Sequence, residues 1–347
     1  MSRVTKNHNQ DGTDIPKTLT FNGLSHIAIW RSGKNLKASA WNESLAMTGS
    51  GWQPPREVIE NERLQGDYMA HFSWFEGNFG HFFDDSLTQI AFLRNQVPNT
   101  TKWILCDKEL TRNVLEFLDP EFAKRVHWVK MGLPITVEGS LTVALQPRIP
   151  NFSGCCRPYD HLRDWVAEKY PEVSDEKKIV YYSRNSTDTK HWRNVERAHE
   201  QQILEHIREG MVRHNVKEEL VLFTGQDDEG KTLSIAKQFE IFRSARTIIG
   251  PHGAGMLGNI IWTNPLPENC ASRTSIIEFI PGERSTQVQP LYRSLFIRWR
   301  KWPLDFHVLL YKEESTKEET FIDLNALDEA LDDTWGSDGD LRPLEQR

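Results

Sequence analysis

Cysteine is scarce in this 347-residue chain, and its few cysteines follow no metal-binding pattern. Cys106, Cys155, Cys156 and Cys270 form neither a Cys-x-x-Cys pair nor a spacing with histidine that suits zinc. No Asp-x-Asp triplet follows a predicted strand either. A metal site is therefore not predicted. The cysteines are interpreted as packing thiols, although the adjacent pair could also be reactive or bridged.

Long apolar runs are also missing. No window of 18 or more apolar residues occurs, and the N-terminus is polar, so neither a membrane span nor a signal peptide is predicted. Asn42, Asn99, Asn151 and Asn185 nevertheless begin Asn-x-Ser/Thr sequons, where about two are expected by chance. Two compartments stay open: the lumen of the Golgi or endoplasmic reticulum, if the chain is a truncated secretory glycoprotein, and the cytoplasm.

The chain has no excess of basic over acidic residues. The formal net charge is −7, so a general nucleic-acid binder is not predicted, because neutralising phosphates requires clustered Lys and Arg. One short basic cluster with aromatics lies at residues 296–302. It fits either a solvated edge strand or a patch that contacts an anionic or sugar acceptor.

The length predicts two domains, and short apolar runs alternate with amphipathic stretches through both halves. In the first half, residues 26–30, 68–74, 103–106 and 126–129 are predicted as strands, with helices at 79–94 and 108–118. The predicted organisation is a polar tail (1–24), an α/β domain (25–150), a linker region (151–176), a second α/β domain (177–300) and an acidic C-terminal segment (301–347).

The second half is more regular. Strands are predicted at 178–182, 220–224, 247–250 and 274–280, with helices at 194–212, 232–244 and 254–262 between them. This alternation predicts a doubly wound parallel sheet, whose ligands bind beyond the carboxyl ends of the strands. The residues expected along that rim are Ser183, Arg184, Thr224, Gly225, residues 250–255 and Glu278.

Residues 242–262 contain the most informative stretch of the rim. An apolar strand runs into a turn with Pro251, His252 and Gly253, and a helix is predicted from Ala254. Backbone amides at a helix N-terminus bind anions, most often phosphates. The alternative is an ordinary strand-to-helix crossover.

Two arginines follow the first strand of this half. Arg184 ends the run YYSR, and Arg193 ends KHWR before the next helix. Such a pair can grip a diphosphate through bidentate hydrogen bonds. Solvent-exposed charge on a loop is the alternative.

The first half carries the segment GNFGHFFDD at residues 77–85. His81 and Asp85 are four residues apart, so on a helix they share a face and can hydrogen-bond. Proton abstraction from a hydroxyl needs a carboxylate that orients an imidazole or is itself the base. A helix N-terminus with two acidic residues that complement the dipole is the alternative.

The segments GNFGHFFDD, YYSRN with KHWR, and FRSARTIIGPHGAG with NIIW and SIIEFIPG occur in an order that resembles glycosyltransferase family 61, over about residues 68–282. The resemblance implies a GT-B-like α/β fold, with two Rossmann-like doubly wound domains facing a cleft. It also implies inversion at the anomeric carbon without a required metal or other cofactor. The expected partners are a nucleotide sugar, usually UDP-linked, and a glycan or glycoprotein acceptor.

The resemblance also implies roles for single residues. Residues 25–150 would hold the acceptor and 177–300 the donor. His81 and Asp85 match the family's His and Asp, where the base is expected, and Glu278 would meet the ribose. The remaining residues expected to bind the donor are Arg184, Arg193, Thr224, Gly225, His252, Gly253, Ala254, Gly255 and Asn259. Asn259 stands one position later than the family's Asn, and the Asn-Glu expected after Arg193 is replaced by Asn194-Val-Glu196.

Two other functions are the alternatives. A nucleotide- or glycan-binding protein could keep the fold without catalysis. A hydrolase lacks support, because no Gly-x-Ser-x-Gly nucleophile elbow occurs in the chain.

Overall fold

The chain forms two compact units, Met1–Trp165 and Val166–Arg347, which are called unit 1 and unit 2 below. The structure is a computed structural model, and it describes residues 3–4, 17–32, 35–41, 46–48, 62–71, 79, 82–130, 134–145, 157–172, 176–185, 194–263, 274–280, 304–312 and 320–336. Each unit combines helices with a sheet that contains parallel strands, so the predicted α/β class is confirmed.

Unit 1 is built on a sheet of eight strands. Its strands are β1 (Arg3–Val4), β2 (Lys17–Ser32), β3 (Asn35–Trp41), β4 (Ala46–Thr48), β5 (Glu62–His71), β6 (Lys102–Cys106), β7 (Val126–Val129) and β8 (Ile135–Leu145). Its helices are α1 (Thr88–Arg94), which follows a π-helical turn (Phe82–Leu87), α2 (Glu109–Leu118), α3 (Pro120–Ala123) and the first part of α4 (Arg157–Lys169).

The sheet of unit 1 has the order β4-β3-β2-β8-β5-β6-β7, with β1 paired to β2. Strands β8, β5, β6 and β7 run parallel, whereas β2, β3 and β4 are joined to one another and to β8 by antiparallel pairs. The strand predicted at residues 26–30 lies within β2, whereas the antiparallel pairing of β2 and the strands β3 and β4 were not predicted. Strand β2 begins at Lys17, inside the predicted polar tail, because the buried Leu19 and Phe21 alternate with threonines in a stretch that is polar on average.

Three glycines stand side by side across the middle of this sheet. Gly139 of β8 pairs with Gly23 of β2 and with Gly66 of β5, and all three have positive φ. At Gly139, φ is 142°, and an added Cβ would collide with the carbonyl oxygen of Gly66. Only glycine therefore fits this close approach of two strands.

Unit 2 is built on a sheet of five parallel strands. They are β9 (Lys178–Tyr182), β10 (Glu219–Phe223), β11 (Ala245–Pro251), β12 (Thr274–Ile280) and β13 (Leu304–Leu310), in the order β10-β9-β11-β12-β13. The predicted parallel sheet is thus confirmed, and its order is doubly wound. Strand β13 lies within the predicted acidic segment, so unit 2 continues past residue 300.

Helices cover both faces of the second sheet. Helix α5 (Arg197–Arg213) packs against α8 (Leu324–Trp335), while α6 (Ile235–Arg243) packs against α7 (Ala254–Asn259) and the 3₁₀ turn Ile260–Trp262. Because both faces are covered, a strand such as β9 is a continuous apolar run in which Ile179 and Tyr181 join the cluster beneath α5 and α8. None of the helices in the described ranges is both long and apolar enough to cross a membrane.

Candidate functional site

The candidate site lies at the carboxyl edge of the unit 2 sheet, between β9 and β11. The chain passes from β9 to β10 on one side and later returns to β11 on the other, so the strand order reverses here. Such a switch point leaves a crevice at the carboxyl ends of the two strands, where doubly wound sheets bind ligands. Arg184 follows β9 and His252 follows β11, so the structure brings these two predicted residues to one edge.

The turn after β11 depends on glycine where it passes β9. Gly250 has φ of 150°, and an added Cβ would collide with the carbonyl oxygen of Tyr182. Both conditions favour glycine, since other residues rarely adopt this φ and the backbone of β9 cannot move without disturbing the sheet. Gly250 therefore lets the two strands approach each other at the switch point.

Tyr182 occupies the space above the next two glycines. A Cβ added at Gly253 would collide with Nη1 of Arg184, and one added at Gly255 would lie 2.9 to 3.1 Å from three atoms of Tyr182. Nη1 of Arg184 donates a hydrogen bond to the Tyr182 hydroxyl at 3.2 Å, while the buried Nε has no partner among the described residues. Arg184, Gly253 and Gly255 thus form one contact cluster around Tyr182.

His252 and Glu278 form a buried pair. The ring Nδ1 of His252 lies 2.6 Å from Oε1 of Glu278, and the two residues are only 4% and 0% exposed. Within the described part of the chain, Oε2 of Glu278 has no hydrogen-bond partner. The sequence places His252 at the apex of an open turn facing a ligand, whereas the structure turns it inward because Glu278 follows on the adjacent strand β12.

The other predicted donor residues of unit 2 have varied positions. Thr224 and Gly225 follow β10, where the Thr224 hydroxyl accepts from the Gln226 amide at 3.2 Å and Gly225 has φ of 78°. Asn259 is 0% exposed, and its Nδ2 donates to the Gly255 carbonyl at 2.7 Å. Asn259 therefore holds α7 from inside the unit, and its amide does not reach the rim.

A partly buried network that the sequence did not indicate holds the loop after β9. Nδ2 of Asn185 donates to Oε2 of Glu200 at 2.8 Å and to the Val195 carbonyl at 2.9 Å, and the Tyr181 hydroxyl donates to Oε1 of Glu200 at 3.2 Å. Burial, reinforced by the Glu200 charge, raises the pKa of Tyr181 well above its usual value, so it stays a donor. The loop that carries Arg184 is thereby fixed to α5.

The Asn185 amide nitrogen is consumed in this network, although the sequence offered it as a glycosylation sequon. The sequence did contain a signal for a structural role of Asn185, because an asparagine that follows a strand end can hydrogen-bond to nearby backbone groups. The partner Glu200 lies 15 residues away on α5, and nothing local identifies it.

The predicted catalytic pair is only partly within the described residues. His81 lies outside them, as does Arg193 of the predicted donor site. The backbone of Asp85 lies in the π-helical turn Phe82–Leu87, which precedes α1 and follows β5. The sequence predicted an ordinary α-helix here. Single π turns are rare in proteins, but those that occur in helices are often found at functional sites. This tendency agrees with a special role for the segment.

No group of three or more His, Cys, Asp or Glu residues in the described ranges is arranged to hold a metal ion.

Comparisons with known proteins identify the family. No curated protein sequence matches the chain. Two solved structures are similar to the chain. The iron-containing dodecameric glycosyltransferase TibC from enterotoxigenic E. coli H10407 is 9% identical, with 73% of each chain covered and a TM-score of 0.33. The heptosyltransferase TibC in complex with ADP-D-β-D-heptose is 8% identical, with 80% of this chain and 79% of that chain covered and a TM-score of 0.29.

The sequence model of the family Glycosyltransferase 61 matches residues 79–277, which is more than half of the chain and reaches into both units. The matched range contains every predicted site residue except Glu278, which is the next residue along the chain. The chain therefore belongs to glycosyltransferase family 61 and is a glycosyltransferase.

Proposed function

We propose that this glycosyltransferase transfers a sugar from a UDP-linked donor to a hydroxyl group of a glycan or protein, with inversion at the anomeric carbon. The observation that supports the donor site best is the cluster of Arg184, Tyr182 and Gly253 at the switch point of a parallel sheet. A cationic, partly buried side chain at that point suits an anionic ligand.

Arg184 is the proposed contact to the diphosphate. Its guanidinium is half-buried, and its Nε has no partner among the described residues, so it retains donor capacity for a phosphate oxygen. Arg193 is proposed as the second cation and the backbone of residues 253–255 as a further phosphate contact, while the buried His252 would hold this turn through Glu278. Because α7 has only six residues, its dipole adds little, and Arg184 carries most of the argument.

Glu278 is the proposed ribose contact. One of its oxygens binds His252, while the other is buried without a partner in the described part of the chain. A buried carboxylate oxygen that lacks a hydrogen bond is unfavourable, and a ribose hydroxyl would supply one. Thr224 and Gly225 are proposed to border the nucleotide from the β10 side, and Asn259 to act indirectly through Gly255.

Catalysis is proposed to be a single displacement. Asp85 would accept the proton of the acceptor hydroxyl, with His81 as its partner or as the base itself. The charge that develops on the leaving diphosphate would be stabilised by the arginines and backbone amides, and we expect no requirement for a divalent metal.

Turnover measured against a panel of nucleotide sugars tests this proposal. We expect transfer or slow donor hydrolysis with a UDP sugar, unchanged by a chelator. Binding of UDP without any turnover would favour the alternative, a catalytically inactive binding protein of the same fold. Binding of neither UDP nor any other nucleoside diphosphate would overturn both.

A further inference from the structure

Tyr182 fills the space that the glycines of the turn leave open. Glycines in phosphate-binding turns are usually explained by the close approach of the backbone to a phosphate. Here the ring and hydroxyl of Tyr182 lie only 2.9 to 3.1 Å from the position of a Cβ added at Gly255, and Nη1 of Arg184 lies closer still to that of a Cβ added at Gly253. The structure thus explains both glycines by contacts within the protein.

The ring of Tyr182 is itself held in place. Tyr182 is 7% exposed, and its ring packs against Phe223 with 6.1 Å between the ring centroids. Phe223 in turn packs edge-on against Phe242 at 4.9 Å. The Tyr182 hydroxyl is therefore a fixed acceptor, and the hydrogen bond from Arg184 at 3.2 Å restricts a side chain that is otherwise flexible.

We propose that Tyr182 is a positioning residue that seats the Arg184 guanidinium on the glycine-rich turn, ready for the donor diphosphate. This inference rests on the proposed function, because it requires Arg184 to bind the donor. Its physical basis is preorganisation, since a cation that is already held in its binding geometry loses less conformational entropy when the ligand arrives. Tyr182 does not itself touch the donor in this arrangement.

A double-mutant cycle on nucleotide affinity tests the inference. The dissociation constants for UDP and for uridine are measured by calorimetry with the wild type, Tyr182→Phe, Arg184→Ala and the double variant. We expect Arg184→Ala to weaken UDP binding about 10- to 100-fold and Tyr182→Phe about 3- to 10-fold, as for lost charged and neutral hydrogen bonds. The double variant should bind UDP no more weakly than Arg184→Ala, because Tyr182 acts through Arg184.

Two measurements separate positioning from a general structural effect. Uridine has no phosphate, so its affinity should not change with Tyr182→Phe. Tyr311→Phe removes the hydroxyl of a tyrosine that is also 7% exposed in the same unit, and it should leave UDP affinity unchanged. Loss of uridine binding with Tyr182→Phe, or an equal loss of UDP binding with Tyr311→Phe, would overturn the positioning role.

The cycle also distinguishes the inference from the function on which it rests. If Arg184→Ala weakens UDP binding and Tyr182→Phe does not, only the positioning role is wrong. If Tyr182→Phe weakens UDP binding equally with and without Arg184, Tyr182 contacts the ligand directly and the inference is again wrong. If Arg184→Ala has no effect on UDP binding, the proposed donor site fails and the positioning role fails with it.

Gly253→Ala gives an independent test that leaves both side chains intact. Its methyl group would displace the end of the flexible Arg184 side chain and would lie 3.0 Å from the ring and hydroxyl of Tyr182, while no backbone atom is among its three nearest contacts. We expect weaker UDP binding, by about the factor seen with Tyr182→Phe, and a melting temperature close to that of the wild type. Wild-type UDP affinity in Gly253→Ala would show that the position of the guanidinium does not matter.

Discussion

Nδ1 of His252 and Oε1 of Glu278 lie 2.6 Å apart in the interior of unit 2, where His252 directly follows β11 and Glu278 lies on the adjacent parallel strand β12. Their partnership fixes the orientation of the imidazole, since one ring nitrogen is committed to the carboxylate. The histidine of the glycine-rich turn is therefore part of the packed interior as well as of the candidate donor site.

We expect His252→Ala to lower the stability of the protein as well as donor affinity. Without the imidazole, neither oxygen of the buried Glu278 carboxylate has a hydrogen-bond partner in the described part of the chain. Breaking a buried pair in this way costs about 3 to 5 kcal/mol. Denaturant unfolding measures the loss. The double variant with Glu278→Gln should regain part of it, because no buried charge then remains. An unfolding midpoint unchanged by His252→Ala would show that the pair does not form.

The three glycines around Tyr182 should differ in their tolerance of alanine. Gly250→Ala should be the most destabilising, because it combines an unfavourable φ with a collision against the backbone of β9. Gly255→Ala presses on the packed ring of Tyr182 and should be intermediate. Gly253→Ala collides mainly with the flexible end of Arg184 and lies 3.0 Å from the Tyr182 ring and hydroxyl, so it should be the least destabilising. Free energies of unfolding of the three variants give the order. Equal values would mean that these contacts do not determine the choice of glycine.

His71 should make the protein sensitive to acid. It ends β5 fully buried, and burial lowers its pKa from 6.5 to about 4. The unfolded chain therefore binds the proton more tightly, so stability falls as the pH drops from about 6.5 towards 4, by about 2 kcal/mol between pH 7 and pH 5.

The variant His71→Leu tests this source of acid sensitivity. Neither ring nitrogen has a partner among the described residues, so leucine should leave the stability at pH 7 equal or higher while flattening its dependence on pH. An unaltered pH profile of the unfolding free energy would show that another group is responsible. Loss of transfer activity in a stable His71→Leu protein would instead reveal a functional role for this histidine.

The sequence predicts those parts of the site that depend on local pattern and topology. The strand and helix periods of unit 2 identify its parallel sheet, and the rule that ligands lie beyond the carboxyl ends then selects Arg184 and His252 from distant segments. The burial of His252 was not predictable, because it depends on the register that places Gly250 beside Glu278. Side chains alternate between the two faces of a sheet, so the sequence predicts that Tyr181 and Tyr182 face opposite sides. It does not predict that Tyr182 is the one that contacts the glycines.

The remaining differences have similar physical causes. The first part of β2, before the predicted strand at residues 26–30, is hidden by the polar composition around Lys17, and β13 is hidden by the acidic residues that follow it. The family resemblance implied that Asn259 binds the donor, whereas its partners Gln238 and Gly255 are set by the packing of α6 against α7. Each of these differences depends on packing between segments that are distant in the sequence.

Asp85→Asn should lower turnover by about 10² or more, because it keeps the shape of the side chain but removes its ability to accept the proton of the acceptor. Affinity for UDP should stay at the wild-type value, since the proposed donor residues lie in unit 2 and Asp85 lies in unit 1. Asp84→Asn is the matched control, because it removes the same charge from the neighbouring residue of the same π-helical turn. Single-turnover rates with saturating donor separate the chemical step from binding.

If Asp85→Asn keeps its activity while His81→Ala loses it, the histidine is the base. If both variants stay active, or if Asp84→Asn is equally impaired, the turn has a structural role and the base lies elsewhere.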